Sequence, residues 1–284
     1  MYASLSIFEN QKNPGGVMGV HQKLDRIARW LVARNMPVAS IDFPNIKNIL
    51  YFEGSRGPDG LKTKSPGVDE PMHFIDPNND NGVLIGYIYN HHYNLVEALK
   101  KHDTIRASYE AAWMAHAITD GLTPAHHYPY QEALDELMGD HDYVKLFGKP
   151  IKGIMVGDNL AQTIRNNWLY IGAGGLMTKH IAFELGVANT IAPIPYKRLA
   201  PKNLKRSDIL KADVDTAFYN SLERVASLKM YDRFLEDGWT SQTVFETREI
   251  LIPEIARAIA LAWAACIIEA NKKEGKKHAR KKSA

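Results

Sequence analysis

The sequence contains a single cysteine in 284 residues, Cys266. An intramolecular disulfide and a zinc site built from cysteines are therefore excluded, and a reducing compartment fits this composition best. Long apolar runs are also absent: the longest, residues 258–268, has eleven members against the ~20 that a membrane-spanning helix needs. That run predicts a buried core helix. Residues 1–19 lack the basic start and apolar centre of a signal peptide, so we expect a cytoplasmic protein, with peripheral attachment to a membrane as an alternative.

Neither sign of charge dominates, because 35 Lys and Arg face 32 Asp and Glu. With 45% hydrophobic residues, this balance is typical of a globular protein and excludes disordered and collagen-like classes. The basic residues concentrate at the end of the chain, where residues 272–284 hold seven Lys or Arg and one Glu. We interpret residues 1–271 as one domain and residues 272–284 as a basic, disordered tail. Such a tail favours an anionic membrane surface, and nucleic acid is the less favoured partner.

Apolar residues recur at steps of three and four along most of the chain, which is the pattern of amphipathic helices. Alternating, strand-like stretches bounded by hairpin turns are scarce, so the sequence predicts an all-α fold. Residues 54–82 are rich in Pro and Gly and predict a long functional loop. Tryptophans on the helical patterns are predicted to lie in the core, namely Trp30, Trp113, Trp168 and Trp263. The predicted helices cover residues 20–32, 85–99, 105–118, 160–185, 214–234 and 245–268.

Three histidines are followed four residues later by a carboxylate, whereas about one such pair is expected by chance. They are His21 with Asp25, His116 with Asp120 and His180 with Glu184. Residues four apart share a helix face, so an imidazole and a carboxylate can point at the same ion. In a chain without paired cysteines, these are the side chains available to bind zinc.

The segment from His116 through Asp120 to His126, with Pro124 two residues before the last histidine, resembles the central helix of the zinc-dependent phospholipase C and S1/P1 nuclease superfamily. Other positions resemble the remaining ligands of that family, in the same order along the chain. The pair of His180 and Glu184 ends in Glu rather than Asp, and in this respect the sequence resembles the phospholipase branch of the superfamily. These positions are His21, Asp59, His73, His180 and Glu184.

The resemblance implies a single all-α domain that hydrolyses phosphate esters, with Asp59 and Asp120 as catalytic residues. One zinc would be held by Asp59, His73, His116 and Asp120, a second by His126, His180 and Glu184, and Asp120 would reach toward a third near His21. The expected substrate is a phospholipid. Two alternatives stay open: an S1/P1-type nuclease or nucleotidase, and a catalytically silent helical protein in which zinc is structural.

Some details of the sequence depart from the family pattern. The wide spacing between His126 and His180 implies an inserted segment at about residues 131–159. His141 is a nearer rival for His180, but Lys145 stands where its carboxylate partner would be. Of the other histidines, His91 and His92 are predicted to be solvated or to cap helices. For His127, a role beside the metal ligands and simple exposure are equally open.

These ligand sets predict that protein prepared without a chelator contains about two zinc ions per chain, because imidazole and carboxylate donors with room for water suit zinc. Elemental mass spectrometry of the purified protein measures this. If a third ion is found, His21→Ala should remove it. Zinc content near zero after reconstitution with the metal would contradict the prediction.

Overall fold

The structure is a computed structural model, and its regular elements are helices. Among the residues that it describes there is no β-strand, which confirms the predicted all-α class. Of the predicted tail, only Lys272 belongs to them. The described residues are 19–37, 42–53, 56–60, 74–79, 82–129, 132–133, 136, 157 and 159–272.

The helices vary in length from five to nineteen residues. Two short 3₁₀ turns, Pro124–His127 and Tyr196–Leu199, connect neighbouring elements, and a π-helical turn, Thr247–Leu251, joins the last two helices into one continuous stretch. The helices are α1 (Val20–Asn35), α2 (Ile46–Tyr51), α3 (Val83–Lys100), α4 (Thr104–Gly121), α5 (Leu160–Ile171), α6 (Leu176–Ile191), α7 (Arg206–Leu210), α8 (Val214–Ser227), α9 (Met230–Asp237), α10 (Ser241–Glu246) and α11 (Ile252–Ala270).

Two of the predicted helices are each divided in two. The predicted helix over residues 160–185 breaks between α5 and α6, where Gly174 has a φ of 79°. The predicted helix over residues 214–234 breaks between α8 and α9, where Lys229 has a φ of 49°. A residue in the left-handed region cannot continue a right-handed helix, so each of these positions starts a new helix direction.

Helix α11 lies at the centre of the core and packs against α1, α3, α4 and α8. Trp263 on this helix is fully buried, contacts the ring of Phe43 and donates its indole N–H to the carbonyl of Ala111 at 3.1 Å. The prediction that residues 258–268 form a buried core helix is therefore confirmed. By length and composition alone, the stretch Ser241–Ala270 could cross a membrane, with 78% of its most apolar window buried inside the protein.

The tryptophan prediction holds only in part. Trp263 lies in the core and Trp30 and Trp113 pack half-buried against it, but Trp168 is 64% exposed. The prediction for Trp168 was wrong because helical periodicity identifies an apolar face without showing on which side the rest of the protein lies.

A buried lysine joins the first helix to α6. The ammonium group of Lys23, on α1, donates hydrogen bonds to the carbonyls of Ile191 and Ala192 at the C-terminal end of α6. The carbonyl of Ile191 also accepts the backbone N–H of Ile194 at 3.0 Å. The end of a helix carries partial negative charge, so a cation is favourable there. This contact fixes α1 and α6 relative to each other, and both helices carry predicted metal ligands.

The close approach of α3 and α8 to the end of α4 predicts that Gly121→Ala is destabilising. A Cβ at Gly121 would lie 2.4 Å from Leu84 and 2.9 Å from the ring of Phe218, so core side chains would have to shift, at a cost of about 1–3 kcal/mol. Gly86→Ala is the matched control, because a Cβ there meets nothing within 4 Å and alanine favours helix by roughly 0.5–1 kcal/mol. Urea unfolding should therefore give free-energy changes of opposite sign, and equal effects would contradict the packing argument.

Candidate metal centre

Helix α4 and the turn that follows it carry three of the predicted ligands. His116 and Asp120 are four residues apart and share the buried face of α4, and the 3₁₀ turn Pro124–His127 then brings in His126. The imidazole of His127 donates to the carbonyl of Gly121 at 2.9 Å and so holds this turn against the end of α4. His127 thus supports the position of its neighbour rather than being merely exposed.

The first candidate metal group contains His21, His116 and Asp120, whose donor atoms all lie within 4.8 Å of one another. Asp120 is placed between the two imidazoles. Its Oδ1 lies 3.4 Å from Nε2 of His21, and its Oδ2 lies 3.1 Å from Nε2 of His116. The two imidazole rings are stacked with their centroids 4.3 Å apart. All three side chains are buried, so the group lies inside the helical core.

Asp59 approaches the first group from the segment between α2 and α3, where residues 58–60 are helical. Its Oδ1 lies 3.5 Å from Nε2 of His116, and its side chain is 33% exposed, compared with 2% for His116. Asp59 therefore stands where the group meets solvent. The prediction that Asp59 belongs with His116 and Asp120 agrees with this placement.

The second candidate metal group contains His126, His180 and Glu184. Glu184 Oε1 lies 3.2 Å from Nε2 of His126 and 3.3 Å from Nε2 of His180, and the two imidazole rings are stacked with their centroids 5.1 Å apart. The ring of Phe74 packs beside both histidines, at 5.2 Å from His126 and 6.2 Å from His180. The backbone N–H of Ile75 donates to the carbonyl of His126 at 3.1 Å, which fixes this segment against the group.

Asp120 connects the two groups, because its Oδ1 also lies 3.9 Å from Nδ1 of His126. The resemblance implied a separate third ion near His21. In the described part of the chain, His21 lies in the same group as His116 and Asp120.

Carboxylates dominate the electrostatics of the first group. Burial alone would lower the pKa of His116, but Asp120, Asp59 and Glu53 outweigh it and hold this pKa well above its ordinary value. Burial would likewise raise the pKa of Asp59, yet its interaction with His116 holds this pKa below the usual range. A site whose negative charge attracts a proton so strongly also attracts a divalent cation.

The second group has the opposite balance at its histidine. Burial lowers the pKa of His126 to about 3, so this imidazole is neutral near physiological pH. Burial would raise the pKa of Glu184, but interactions that include hydrogen bonds with His126 and His180 hold it well below its ordinary value. A neutral imidazole beside an ionised carboxylate is the protonation state in which these side chains bind metals.

The environment of His21 also fits a cation. Its side chain is 1% exposed, and neither of its ring nitrogens makes a hydrogen bond within the described residues, although both face carboxylate oxygens at 3.4–3.7 Å. Polar groups buried in this way are costly unless they are hydrogen-bonded or bind a metal. Each of the two groups could therefore hold a metal ion, with imidazole nitrogen and carboxylate oxygen as donors.

Glu53 is a part of the centre that the sequence reasoning missed. This buried carboxylate accepts a hydrogen bond from Nδ1 of His116 at 2.9 Å and lies 3.7 Å from Nδ1 of His21. The bond directs the other nitrogen of His116 toward Asp59 and Asp120. Carboxylates of this kind orient the histidine ligands of metal sites and make them more basic. The sequence reasoning searched for a histidine and a carboxylate four residues apart, and Glu53 is not in such a pair. The one signal in the sequence was that Glu53 is an acidic residue shortly before Asp59.

Asp25 is buried near the first group but belongs to neither set. Burial, and after it the carboxylate of Glu53, raise the pKa of Asp25 well above its ordinary value. Asp25, although four residues after His21 on α1, is not in either of the two groups. His21 joins Asp120 instead.

Two further histidines make contacts that the sequence did not indicate. His91 is buried and its Nδ1 lies 2.6 Å from the carboxylate of Glu110, so the prediction of a solvated or capping role was wrong. His92 lies between Glu269, at 2.9 Å, and Cys266, at 3.1 Å. The predicted ligand His73, the rival His141 and most of the predicted insertion at residues 131–159 lie outside the described residues.

No family model, curated protein or solved structure matches the chain. The arrangement of these side chains therefore carries the functional argument.

The bond from His116 to Glu53 predicts that Glu53→Gln weakens metal binding by about 10-fold to 100-fold, as is typical when a carboxylate behind a histidine ligand is replaced. Titration against a chromophoric chelator measures this affinity. Glu110→Gln is the matched control, because Glu110 is also buried against a histidine but lies in neither metal group. Equal affinities for the two variants would show that Glu53 does not orient the ligand.

Proposed function

We propose that the protein is a zinc-dependent hydrolase of phosphate esters, of the phospholipase C-like type. The observation that carries this proposal is the pair of buried groups connected through Asp120. Two close metal ions form the arrangement that phosphatases and nucleases use to hold both the attacking and the leaving oxygen of a phosphoryl transfer. The resemblance of the segment from His116 to His126 to the phospholipase C superfamily supports the same class.

The donor set favours zinc over magnesium or calcium, because both groups contain two imidazoles, whereas the hard cations prefer sites made of oxygen. The first ion would be held by His116, Asp120 and Asp59, with His21 beside them. The second would be held by His126, His180 and Glu184. His73 stays a predicted ligand of the first ion.

Bound zinc supplies Lewis-acid polarisation of the phosphoryl group and a water of lowered pKa. The chain's own residues have distinct roles around that chemistry. Asp59, the partly exposed carboxylate beside the first group, would accept the proton of the attacking water. Asp120 fixes the two groups relative to each other, and the ring of Phe74 shields the histidines of the second group from water.

A phospholipid or a small phosphodiester is the proposed substrate, and single-stranded nucleic acid is less favoured. Binding of successive bases requires exposed aromatic residues interleaved with Lys and Arg, and the sequence contains no run of that kind. The basic residues of the tail, 272–284, suit an anionic membrane surface. The proposed location is the cytoplasm, at the membrane periphery.

The test is a panel of substrates assayed with zinc-loaded protein. We expect hydrolysis of phospholipid vesicles or of a soluble aryl phosphodiester, with single-stranded DNA cut poorly. Asp120→Asn should reduce turnover by at least about 100-fold while helical content is retained, because the amide is a poor zinc ligand and the connection between the groups loses its charge. Asp237→Asn, at an exposed carboxylate on α9, is the control and should retain full turnover.

Different results of this panel separate the alternatives. Efficient cleavage of single-stranded nucleic acid without lipid turnover would replace the proposal with the nuclease. Absence of all turnover, together with unfolding of Asp120→Asn, would replace it with a structural zinc site.

A further inference from the structure

Helix α5 has its apolar and polar faces reversed. Four apolar side chains at steps of three and four form one outward stripe, here named the α5 face: Leu160, Ile164, Trp168 and Ile171, which are 76%, 62%, 64% and 56% exposed. The side of α5 that is buried contains Asn166 and Tyr170. A helix in contact only with water and its own protein shows the opposite arrangement. The residues that the structure describes leave the α5 face uncovered, so this face is suited to an apolar partner beyond them.

The buried side of α5 connects it to the second metal group. Tyr170 packs with Phe74 and with the first residues of α6, the helix that carries His180 and Glu184. Phe74 in turn packs beside His126 and His180. A surface that binds the α5 face would therefore lie one helix away from the candidate metal centre.

The charges along the chain at the α5 face favour an anionic partner. From Asn159 to Phe183 the chain has no Asp or Glu, and its charged residues, Arg165 and Lys179, are both exposed. An apolar stripe that contains tryptophan, on a stretch of chain with two exposed cations and no acid, has the composition of helices that lie in the interface of an anionic membrane.

We propose that the α5 face docks onto an anionic phospholipid surface, with Trp168 and Ile164 entering the headgroup and acyl boundary. Docking would hold the second metal group beside lipid headgroups. The proposal deepens the proposed function and rests on it for the role of docking, since the substrate would be lipid within a membrane rather than a dissolved ester. The binding step itself does not depend on turnover.

The test compares two double variants of the full chain for association with vesicles of phosphatidylglycerol and phosphatidylcholine. Ile164→Gln with Trp168→Gln removes the centre of the α5 face. Ile105→Gln with Phe245→Gln removes two side chains that are similarly exposed, at 74% and 58%, on α4 and α10. Sedimentation is carried out at about 0.5 M salt, where screening suppresses attraction through the basic tail. We expect at least tenfold weaker association for the first variant alone, with zinc content and hydrolysis of a soluble phosphodiester unchanged in both.

Tryptophan fluorescence gives a second measurement. The emission of wild-type protein and of Trp30→Phe should shift to shorter wavelength when vesicles are added, and Trp168→Phe should lose that shift while still sedimenting with vesicles. Equal vesicle association of the two double variants would overturn the proposal. If Ile164→Gln with Trp168→Gln converted a wild-type dimer into a monomer, the α5 face would bind a second copy of the chain, and the proposal would be overturned. If that variant lost unfolding stability, the face would pack against another segment of this chain, and the proposal would again be overturned. Vesicle binding through α5 without hydrolysis of any ester would support docking and reject the proposed hydrolase.

Discussion

The burial of imidazoles and carboxylates inside a helical core is the constraint on which the rest of this structure depends. His21, His116, Asp120, His126 and Glu184 are each at most 6% exposed, and an ionised carboxylate in such surroundings is strongly unfavourable unless opposite charge or a metal compensates it. Asp120 lies within reach of three of the histidines. The surrounding helices pack closely around Asp120. Gly121 lets α3 and α8 approach the end of α4, and Lys23 joins α1 to α6.

The central helix of the candidate site could be predicted from the sequence because its signal is local. His116 and Asp120 are four residues apart on a helical pattern, so their common face follows from helix geometry alone. Glu53 could not be predicted in the same way. It reaches His116 from a segment 63 residues earlier in the chain, and that contact depends on how α2 packs against α4. Spacing within one helix predicts neighbours on that helix, whereas contacts between elements are decided by tertiary packing.

The predicted helices show the same difference between features that follow from local sequence and features that depend on tertiary packing. Periodicity predicted helical structure over residues 160–185 but missed the break before α6, where the chain adopts positive φ at Gly174. It also identified the apolar stripe that contains Trp168 and assigned it to the core. The stripe is real, but the protein lies on the other side of the helix. A hydrophobic pattern gives the direction of an apolar face around the helix axis. It does not show which part of the protein packs against that face, because this depends on the tertiary fold.

The candidate ligands come from four separate parts of the chain: α1, the segment before α3, the end of α4 with the turn that follows it, and α6. In the unfolded chain these segments are far apart, so a cation that binds the assembled groups would favour the folded state. Its concentration then contributes directly to stability, by about 2.7 kcal/mol at a hundred times the dissociation constant. Scarcity of metal would raise the unfolded population and its exposure to proteases. The lifetime of the protein in a cell would thus follow the supply of metal.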